Sequence, residues 1–312
     1  MIYGKKIIIY GGAGWLGSRM VPSLGAFNEI SVFSRDEAKH HNLRLKCPSV
    51  KFINGDVSNF DEVLDATKGH DISINLAALK EIDTATAYPM RAINTICIGA
   101  QNTKRAAEQL GLETACLISS DKACAPTLAY GACKSLAESI YINNNEKSNT
   151  NYFVCRYGNV AASRGSIIDV LNNTDKKLTL YSELATRFTI TVDKAIELIL
   201  FCLESTNSVY KNSIIIPKLK SYLIKDLFEI YKDEFGRAYQ HGFLRAGEKL
   251  HESMFSQEES PRIENAKEYF ALKSHANTFS RNMLTDYSSQ HFTMSKEELT
   301  KYLHTNNYFK NI

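Results

Sequence analysis

Short apolar runs rich in β-branched residues recur along the first two-thirds of the chain, and amphipathic stretches separate them. Apolar strands that alternate with helices are typical of a parallel sheet covered by helices on both faces. We therefore expect an α/β protein with a doubly wound parallel sheet of the Rossmann type. The runs predict strands at residues 5–10, 30–34, 50–54, 72–77, 115–120, 152–157 and 212–217.

The later part of the chain is richer in charge and tyrosine, and "SKEELTKYL" near its end predicts a short helix. A chain of this length favours two domains or one domain with a satellite. We expect residues 1–159 with 189–216 to form the nucleotide-binding domain. Residues 160–188 with 217–312 would form a smaller, mostly C-terminal substrate-binding domain.

The composition is ordinary for a globular enzyme, with 44% hydrophobic and 23% charged residues in 312. Lys and Arg number 37 against 34 Asp and Glu, so the net charge of +3 does not suggest bulk binding to nucleic acid. No apolar run reaches the ~18 residues needed to span a bilayer. We expect a cytoplasmic protein without a membrane segment.

The seven cysteines include no CxxC pair, and several lie in apolar runs, which favours buried free thiols in a reducing compartment. The eight histidines form no cluster with metal-ligand spacing, so we expect no metal site. The adjacent His40 and His41 are expected to lie in solvent.

A glycine-rich segment, "YGGAGWLGS", follows the first predicted strand and precedes a helix. Gly11 permits a tight turn, Gly14 lets the backbone approach a pyrophosphate, and Gly17 lets the helix lie close to the sheet. The helix N-terminus then directs free N–H groups at the phosphates. The segment therefore predicts a dinucleotide site.

The end of the second strand bears on which dinucleotide binds. Ser34, Arg35 and Lys39 offer a hydroxyl and two cations there, which suit a ribose 2′-phosphate and favour NADP. The alternative is NAD, with Asp36 on the ribose, although Asp36 is also suited to the start of the next helix. Asp56 could reach the adenine amino group or cap the following helix.

Tyr130 and Lys134 form a Y-x-x-x-K pattern, which puts both side chains on one face of a helix. A lysine ammonium beside a phenol lowers the pKa of the phenol, so that the phenolate can take a hydroxyl proton while hydride leaves the same carbon. Ser119 and Ser120 end the fifth strand, where a helper hydroxyl is expected. Behind a glycine-rich start, this pattern points to the short-chain dehydrogenase/reductase superfamily.

Asp121 and Lys122 follow directly after the fifth strand. Parallel strands deliver functional groups at their carboxyl ends, at the ligand crevice. A simple dehydrogenase needs no such pair, whereas an acid and a base here could handle a second and third proton transfer. A solvent-exposed Asp–Lys turn is the alternative.

An ordered set of motifs resembles the UDP-N-acetylglucosamine 4,6-dehydratases, and most closely the inverting kind that also epimerises C5. The motifs run from residue 10 to about 254 in family order: "GGAGWLGS", "FSRDEAK", "NLAALKEIDTATAYP", "SSDKACAPTLAYGACK", "CRYGNVAASRGSII", "ATRFTIT" and "RAGEKLHESM". The resemblance implies a UDP-sugar substrate and NADP. It also adds to the expected cofactor site Trp15, Leu16, Val57 and Ala77.

The family's chemistry assigns a role to each candidate catalytic residue. The resemblance implies that Tyr130 is the base for oxidation at the sugar C4, that Lys134 holds the ribose, and that the Ser120 hydroxyl bonds the C4 oxygen. Lys122 would remove the C5 proton, and Asp121 would protonate the departing C6 hydroxyl. Hydride then returns to C6, and reprotonation of C5 from the opposite face gives an L-configured 4-keto-6-deoxy sugar.

The same resemblance implies which residues meet the UDP-sugar. Arginines suit this role because the guanidinium donates two parallel bonds to phosphate, although ordinary interdomain ion pairs are the alternative. The expected substrate residues are Lys80, Asn159, Arg164, Gly165, Ser166, Arg187, Arg245 and Glu248.

The chain departs from the family at a few positions. Ile96 stands where an Asn that supports the catalytic lysine is usual, Ser120 replaces Thr, Ser182 replaces Asp and Ala185 replaces Met. Two other functions stay open: a UDP-sugar 4-epimerase, which needs no Asp–Lys pair, and a non-catalytic NADP-binding module. Predicted long helices over 88–110 and 130–145, with the resemblance, indicate a homodimer or a higher homo-oligomer.

Overall fold

The structure is a computed structural model, and it describes the following residues: 2–79, 81–143, 148–173, 177–205, 209–274 and 285–309. The strands of these residues are β1 (Lys6–Tyr10), β2 (Glu29–Ser34), β3 (Lys51–Asn54), β4 (Ile72–Asn75), β5 (Thr114–Ile118), β6 (Asn151–Cys155), β7 (Asn159–Val160), β8 (Leu178–Leu180), β9 (Thr186–Ile190), β10 (Ser213–Pro217), β11 (Ser221–Leu223), β12 (Tyr239–His241), β13 (Ile263–Ala266) and β14 (Tyr269–Lys273).

The α-helices alternate with these strands in the first two-thirds of the chain. They are α1 (Gly17–Gly25), α2 (Glu37–Arg44), α3 (Phe60–Thr67), α4 (Ile82–Ala87), α5 (Pro89–Ala92), α6 (Gly99–Leu110), α7 (Ala129–Ile142), α8 (Ile167–Asn173), α9 (Val192–Glu204), α10 (Ile224–Phe235) and α11 (Lys296–Thr305). None of the helices in the described part of the chain is long and apolar enough to cross a membrane.

The main sheet has nine strands in the order β13-β14-β10-β6-β5-β4-β1-β2-β3. The seven from β10 to β3 are parallel and coincide with the seven predicted strands, so the predicted doubly wound α/β fold is confirmed. β14 and β13 add an antiparallel edge beside β10. The order turns back between β1 and β4, which is where this fold binds its ligands.

Alternate residues of β1 pack on opposite faces of the sheet. Ile7 and Ile9 join the larger core cluster with α1, α7 and α9, whereas Ile8 and Tyr10 join a smaller cluster with Phe33. These four residues of β1 are fully buried, whereas Lys6 at its start is exposed. Burial of an isoleucine side chain contributes roughly 1.5–3 kcal/mol, so the continuous apolar runs stabilise a sheet that is covered on both faces.

A second hydrophobic core lies under α8, α10 and α11. It is accompanied by the three-stranded sheet β11-β9-β7 and the pair β12-β8. The expected domain boundary differs at one point, because β13 and β14 pair in the main sheet although they come late in the chain. The remaining bounds of the two domains stay a prediction.

The predicted helix over 88–110 is interrupted. Residues Ile93–Ile98 form a π-helical turn between α5 and α6, in which the N–H of Gly99 bonds to the carbonyl of Asn94. Ile96, one of the departures from the family pattern, lies in this turn and is buried. It therefore packs in the core and offers no hydrogen bond to Lys134.

All seven cysteines are buried and free, as the sequence predicted. Three of them meet between β5, β6 and α9, where the Sγ atoms of Cys116 and Cys155 are 3.7 Å apart and those of Cys155 and Cys202 are 3.5 Å apart. All three belong to the larger hydrophobic core cluster, where a thiol packs as a small apolar side chain.

Candidate active site

A cleft of about 2350 Å³ runs along the carboxyl ends of the parallel strands and continues toward the second core. The residues that follow or end β1, β2, β4, β5 and β6 all line it, namely Gly11, Ser34, Ala77, Ser119 and Tyr157. The order reversal of the sheet opens this crevice. Most of the predicted site residues therefore share one cavity.

The glycine-rich segment forms the floor at one end of the cleft. Gly11 has a φ of +71°, and a Cβ there would lie 2.9 Å from the backbone nitrogen of Ala77. A Cβ at Gly17 would collide with the backbone of Gly12, so α1 can begin close to the sheet only with glycine at this point. No side chain caps the α1 N-terminus at Leu16. These features fit a dinucleotide pyrophosphate.

Other predicted cofactor residues surround this floor. Trp15 lines the cleft, and the Arg19 guanidinium lies 3.8 Å from the centroid of its ring. Ala77 donates its backbone N–H to the Asn75 Oδ1 at 2.9 Å. The remaining members that line the cleft are Gly14, Leu16 and Val57.

The hydroxyl of Ser34 forms a hydrogen bond with His40. Its Oγ lies 2.6 Å from the Nε2 of His40, and His40 is 5% exposed. The expectation that His40 lies in solvent is therefore wrong, because its ring packs against Phe52 under the loop. His41 is exposed.

The cations at the end of β2 are paired with acids. The Arg35 guanidinium lines the cleft with 63% of its side chain exposed, and its Nη1 lies 3.1 Å from the Asp56 Oδ2. Lys39 pairs with Asp36. Asp36 also accepts the Lys39 backbone N–H at 3.0 Å and so caps α2, which is the alternative considered for it.

Asp56 does not line the cleft. Its Oδ1 accepts hydrogen bonds from the backbone N–H and the hydroxyl of Ser58, each at 2.9 Å. The N-cap of α3 is Asn59 rather than Asp56. The carboxylate of Asp56 thus holds the turn before α3 and the Arg35 side chain.

Tyr130 and Lys134 lie in the first turns of α7 and are both buried. Gly131 lets this helix approach the loop after β5, because a Cβ there would collide with the carbonyl of Lys122. The Lys134 Nζ donates to the carbonyl of Ile118 at 2.7 Å. Burial lowers the pKa of Lys134 to about 8, while Glu138 acts in the opposite direction.

The phenol of Tyr130 is influenced by a different lysine from the expected one. Burial raises the pKa of Tyr130 to about 12, and the charge of Lys122 and a hydrogen bond with Ser120 oppose that rise. The sequence predicted Lys134 as the cation that lowers this pKa. In the structure the charge of Lys122 lowers this pKa, while the ribose-binding role of Lys134 stays a prediction.

Lys122 lies between two carboxylates. Its Nζ is 3.2 Å from the Asp121 Oδ1 and 3.4 Å from the Glu252 Oε1. Burial favours the neutral amine, but the two carboxylates outweigh it, and the pKa of Lys122 lies above its ordinary value. The lysine is therefore held as an ammonium before any substrate binds.

Asp121 is fully buried beneath this cluster and does not line the cleft. Its Oδ1 also accepts the Ser120 hydroxyl at 2.9 Å, whereas its Oδ2 has no hydrogen-bond partner among the described residues. Ser119 lines the cleft as a residue, and its buried hydroxyl likewise lacks a partner in the described part of the chain. Such buried polar atoms are costly unless a ligand or water satisfies them.

Glu252 was missed by reasoning from the sequence. It lies in the irregular segment after the "RAGEK" motif, lines the cleft and is 4% exposed. Its Oε2 has no hydrogen-bond partner among the described residues, and the Lys249 Nζ lies 4.0 Å away. An acid 130 positions downstream of Lys122 gives no signal in the sequence beyond "EKLHE".

Two predicted substrate residues pair with each other. The Arg187 Nη2 donates to the Glu248 Oε1 at 2.8 Å, and the buried Arg187 also donates to the carbonyls of Thr186 and Leu250. Arg245 stands at the rim, 57% exposed, with its Nη1 3.6 Å from the Asp83 Oδ2. Both arginines line the cleft.

The remaining predicted substrate residues lie on the opposite wall, where Asn159 begins β7. Gly165 has a φ of +79°, and its N–H bonds to the Asp169 carboxylate at 2.7 Å. All of these line the cleft: Asn159, Arg164, Gly165 and Ser166. Lys80, also predicted to bind substrate, lies outside the described residues.

The segment that carries Glu248 and Glu252 is hydrogen-bonded to the loop between β5 and α7. The Thr127 hydroxyl donates to the carbonyl of Gly247, and the Lys249 Nζ donates to the carbonyl of Cys124, both at 2.6 Å. Gly247, with a φ of +79°, approaches Leu128 so closely that a Cβ would collide with it. These contacts fix the second carboxylate against Lys122.

Comparisons with known proteins identify relatives in sequence and in fold. A UDP-glucose 4-epimerase of Rickettsia bellii (strain RML369-C) is 34% identical over 288 residues, or 87% of this chain and 84% of the relative. An X-ray structure of Pen from Bacillus thuringiensis has 26% identity and a TM-score of 0.89, with 99% of each chain covered. Against the dTDP-glucose 4,6-dehydratase DesIV from Streptomyces venezuelae, with NAD and TYD bound, the identity is 19% and the TM-score 0.69, over 78% of this chain and 86% of that chain.

This likeness to DesIV concerns the fold alone. The family described as polysaccharide biosynthesis protein matches residues 7–274, which is most of the chain. That match spans the glycine-rich floor, the loop after β5 and the segment with Glu252. The chain belongs to the polysaccharide biosynthesis protein family.

Proposed function

We propose that the protein is a nicotinamide-dependent 4,6-dehydratase that acts on UDP-N-acetylglucosamine. The observation that carries the proposal is the position of Lys122, which lines the cleft beside Tyr130 and is flanked by two buried carboxylates. Oxidation at one carbon needs a single base, whereas elimination of water needs further acid and base groups.

The coarse class, an enzyme that modifies a nucleotide sugar with a nicotinamide cofactor, has broad support. The family match and the relatives named UDP-glucose 4-epimerase point to nucleotide-sugar chemistry. Structural neighbours include a dehydratase and a UDP-glucuronic acid 4-epimerase, each with NAD bound. The arginines of the cleft suit a pyrophosphate.

Each step of the proposed reaction has a group of this chain to serve it. The cofactor, when bound, accepts hydride from C4 and returns it to C6. Tyr130 removes the C4 hydroxyl proton, and the Ser120 hydroxyl holds that oxygen. Lys122 removes the proton at C5, which the C4 ketone has acidified. Asp121, which lies behind Ser120 and does not line the cleft, supplies through the Ser120 hydroxyl the proton on which the C6 hydroxyl leaves as water. Lys134 anchors the ribose.

Deuterium distinguishes the dehydratase from its alternative. The protein is incubated in heavy water with UDP-N-acetylglucosamine labelled with deuterium at C4, and the product is followed by NMR. We expect the label at C6 of a 4-keto-6-deoxy sugar and solvent deuterium at C5, and the ring couplings report whether C5 has inverted, as the resemblance implies. A Lys122→Met variant should stop after oxidation at C4.

A second candidate function is a UDP-sugar 4-epimerase, because relatives 34% identical over 87% of the chain are named so. That reaction returns hydride to C4, leaves C6 unchanged and exchanges nothing at C5. Such a product in the same experiment would reject the dehydratase. Bound cofactor with no conversion would instead favour the non-catalytic module.

We propose NADP as the cofactor, with NAD as the alternative. Arg35 follows β2 and Lys39 lies in the first turn of α2, and their acidic partners Asp56 and Asp36 would share them with a 2′-phosphate. Arg35→Ala should weaken NADP binding by about 10–100-fold, the loss expected for a charge-assisted hydrogen bond, and leave NAD affinity within about threefold. Calorimetric titration with both cofactors measures this, and an equal loss for both would contradict it.

A further inference from the structure

We propose that Glu252 is a positioning residue of the candidate active site: its carboxylate holds the side chain of Lys122 in the cleft and takes the lysine's proton when the reaction requires a free amine. The inference rests on the proposed function, since only the step at C5 needs that amine. Glu252 has no role in the resemblance from which the other site residues were derived.

The geometry gives Glu252 the contacts for this role. Its Oε1 lies 3.4 Å from the Lys122 Nζ, and its Oε2 is buried without a hydrogen-bond partner among the described residues. Glu252 lines the cleft as a residue, while its Oε2 is buried 4.0 Å from the Lys249 Nζ. In the resting site the carboxylate keeps Lys122 protonated, and its unbonded oxygen receives that proton only transiently, as the free amine takes the proton at C5.

Asp121 is placed less well for the same exchange. It is fully buried and does not line the cleft, and its Oδ1 is shared between the Ser120 hydroxyl and the Lys122 Nζ. A proton passed to Asp121 reaches the cleft only through its neighbours. Glu252 borders the cleft directly, which favours it as the partner that exchanges protons.

The surroundings of Lys122 define the charge balance of the cluster. The groups that act on it or face it are Asp121, Glu252, Arg187, Tyr130 and Tyr222, and Lys249 faces Glu252 from the other side. In the exchange one N–H bond of the ammonium breaks and one O–H bond forms on the Glu252 carboxylate. No other bond changes, and the net charge of the cluster is conserved.

The backbone around Glu252 is held independently of its side chain. The Glu252 N–H bonds to the Ser289 hydroxyl at 3.0 Å, and the Ser289 N–H bonds to the Glu252 carbonyl at 2.8 Å. Glu252→Gln therefore keeps the shape and one hydrogen-bond acceptor but removes the charge and the proton-accepting carboxylate. An effect of losing the Glu252 carboxylate can thus be distinguished from an effect of unfolding.

The experiment uses the full chain with its cofactor and UDP-N-acetylglucosamine. Reduced nicotinamide in a single turnover reports oxidation at C4, and deuterium uptake from heavy water reports exchange at C5, both across neutral to alkaline pH. For Glu252→Gln we expect C4 oxidation within about twofold of the unmodified protein and C5 exchange reduced by about 100-fold at neutral pH. The C5 rate should then recover about tenfold per pH unit, as bulk base replaces the missing carboxylate.

Two further variants complete the test. Glu252→Asp keeps a carboxylate, so its rate of C5 exchange should be lower but should not rise with pH. Glu258→Gln removes the same charge at an exposed position outside the cleft and should exchange C5 like the unmodified protein. An unchanged C5 profile in Glu252→Gln overturns the inference, and so does an equal loss of both steps with a lowered melting temperature. An unmodified protein that makes no 6-deoxy product overturns the proposed function and this inference together.

Discussion

Burial determines the charge states of the residues around the candidate site. Tyr130 and Lys134 are buried, the side chain of Lys122 is 22% exposed, and of these three only Lys122 has carboxylates within ion-pair distance. Burial disfavours the charged form of each group, and a neighbouring opposite charge restores it. The pKa values of the two lysines therefore shift in opposite directions although both lie near α7.

This difference gives Lys134 a measurable effect on stability. Its pKa falls from 10.5 to about 8 on folding, so between these values the unfolded chain binds a proton that the folded protein does not. The free energy of unfolding should thus rise with pH from about 8 to 10.5, by roughly 3 kcal/mol at 1.36 kcal/mol per unit. Urea unfolding of the cofactor-free protein at a series of pH values measures it.

The matched variant for this measurement is Lys134→Met, in which the free energy of unfolding should no longer rise between pH 8 and 10.5. Lys301→Met, at an exposed position of α11, should keep it. If the unmodified protein and Lys134→Met respond alike to pH over this interval, Lys134 is not the group responsible.

At the scale of elements, the apolar runs and the glycine-rich segment predicted the parallel sheet and the floor of the cleft. They could do so because the seven parallel strands are buried on both sides and because Gly17 meets the backbone of Gly12 within the same βα unit, although Gly11 meets the backbone after β4. The pattern from residue 93 to 98 predicted an unbroken helix, since one extra residue in a π-helical turn leaves the apolar periodicity almost intact.

The candidate site was predicted where its residues lie in a local motif, as Tyr130 and Lys134 do. It was not predicted where a tertiary contact decides the role. The charge of Lys122 acts on the pKa of Tyr130, and Glu252 reaches Lys122 from a segment without regular structure. Neither fact follows from spacing along the chain.

The close approach of α1 to β1 predicts different outcomes for two glycines of the same helix. Gly17→Ala places a Cβ against the backbone of Gly12, so the loop must move and cofactor affinity should fall by at least about tenfold. Gly25→Ala meets only an Ile30 side-chain carbon at 3.7 Å and should bind cofactor normally. Fluorescence titration of both variants tests this, and equal affinities would contradict it.

At the scale of the whole molecule, a buried ion cluster joins the sheet, α7 and the segment after Glu252. The Arg156 guanidinium donates to Glu138 at 2.6 Å and 2.9 Å, to Glu259 at 2.8 Å and 2.9 Å, and to the carbonyl of Met254 at 2.8 Å. The arginine is 1% exposed. It links the helix that carries Tyr130 to the segment that carries Glu252.

Removal of this arginine should be strongly destabilising. Arg156→Ala leaves two inward-facing carboxylates unpaired, and we expect the free energy of unfolding to fall by about 3–5 kcal/mol. Lys220→Ala breaks the exposed pair with Glu298 and should change little. Urea denaturation of both variants compares them, and a similar effect of the two substitutions would argue against the buried cluster.

The predicted oligomer is a second property of the whole molecule. α6 and α7 lie side by side, joined where the Lys104 Nζ donates to the carbonyl of Ile140 at 2.8 Å, and Leu136 on α7 is 54% exposed. We expect at least a dimer through this helix pair, and Leu136→Glu should dissociate it. Sedimentation equilibrium measures the mass, and a stable monomer of the unmodified protein would defeat the prediction.

The antiparallel edge formed by β14 and β13 constrains how the protein can be re-engineered. These strands lie between two parts of the second core in the chain, since α10 precedes them and α11 follows them, yet they finish the main sheet beside β10. An exchange of the second core with a relative would therefore need junctions on both sides of the β13–β14 pair as well as one after β10. A chimera with a single crossover at residue 217 would combine an edge from one parent with a sheet from the other.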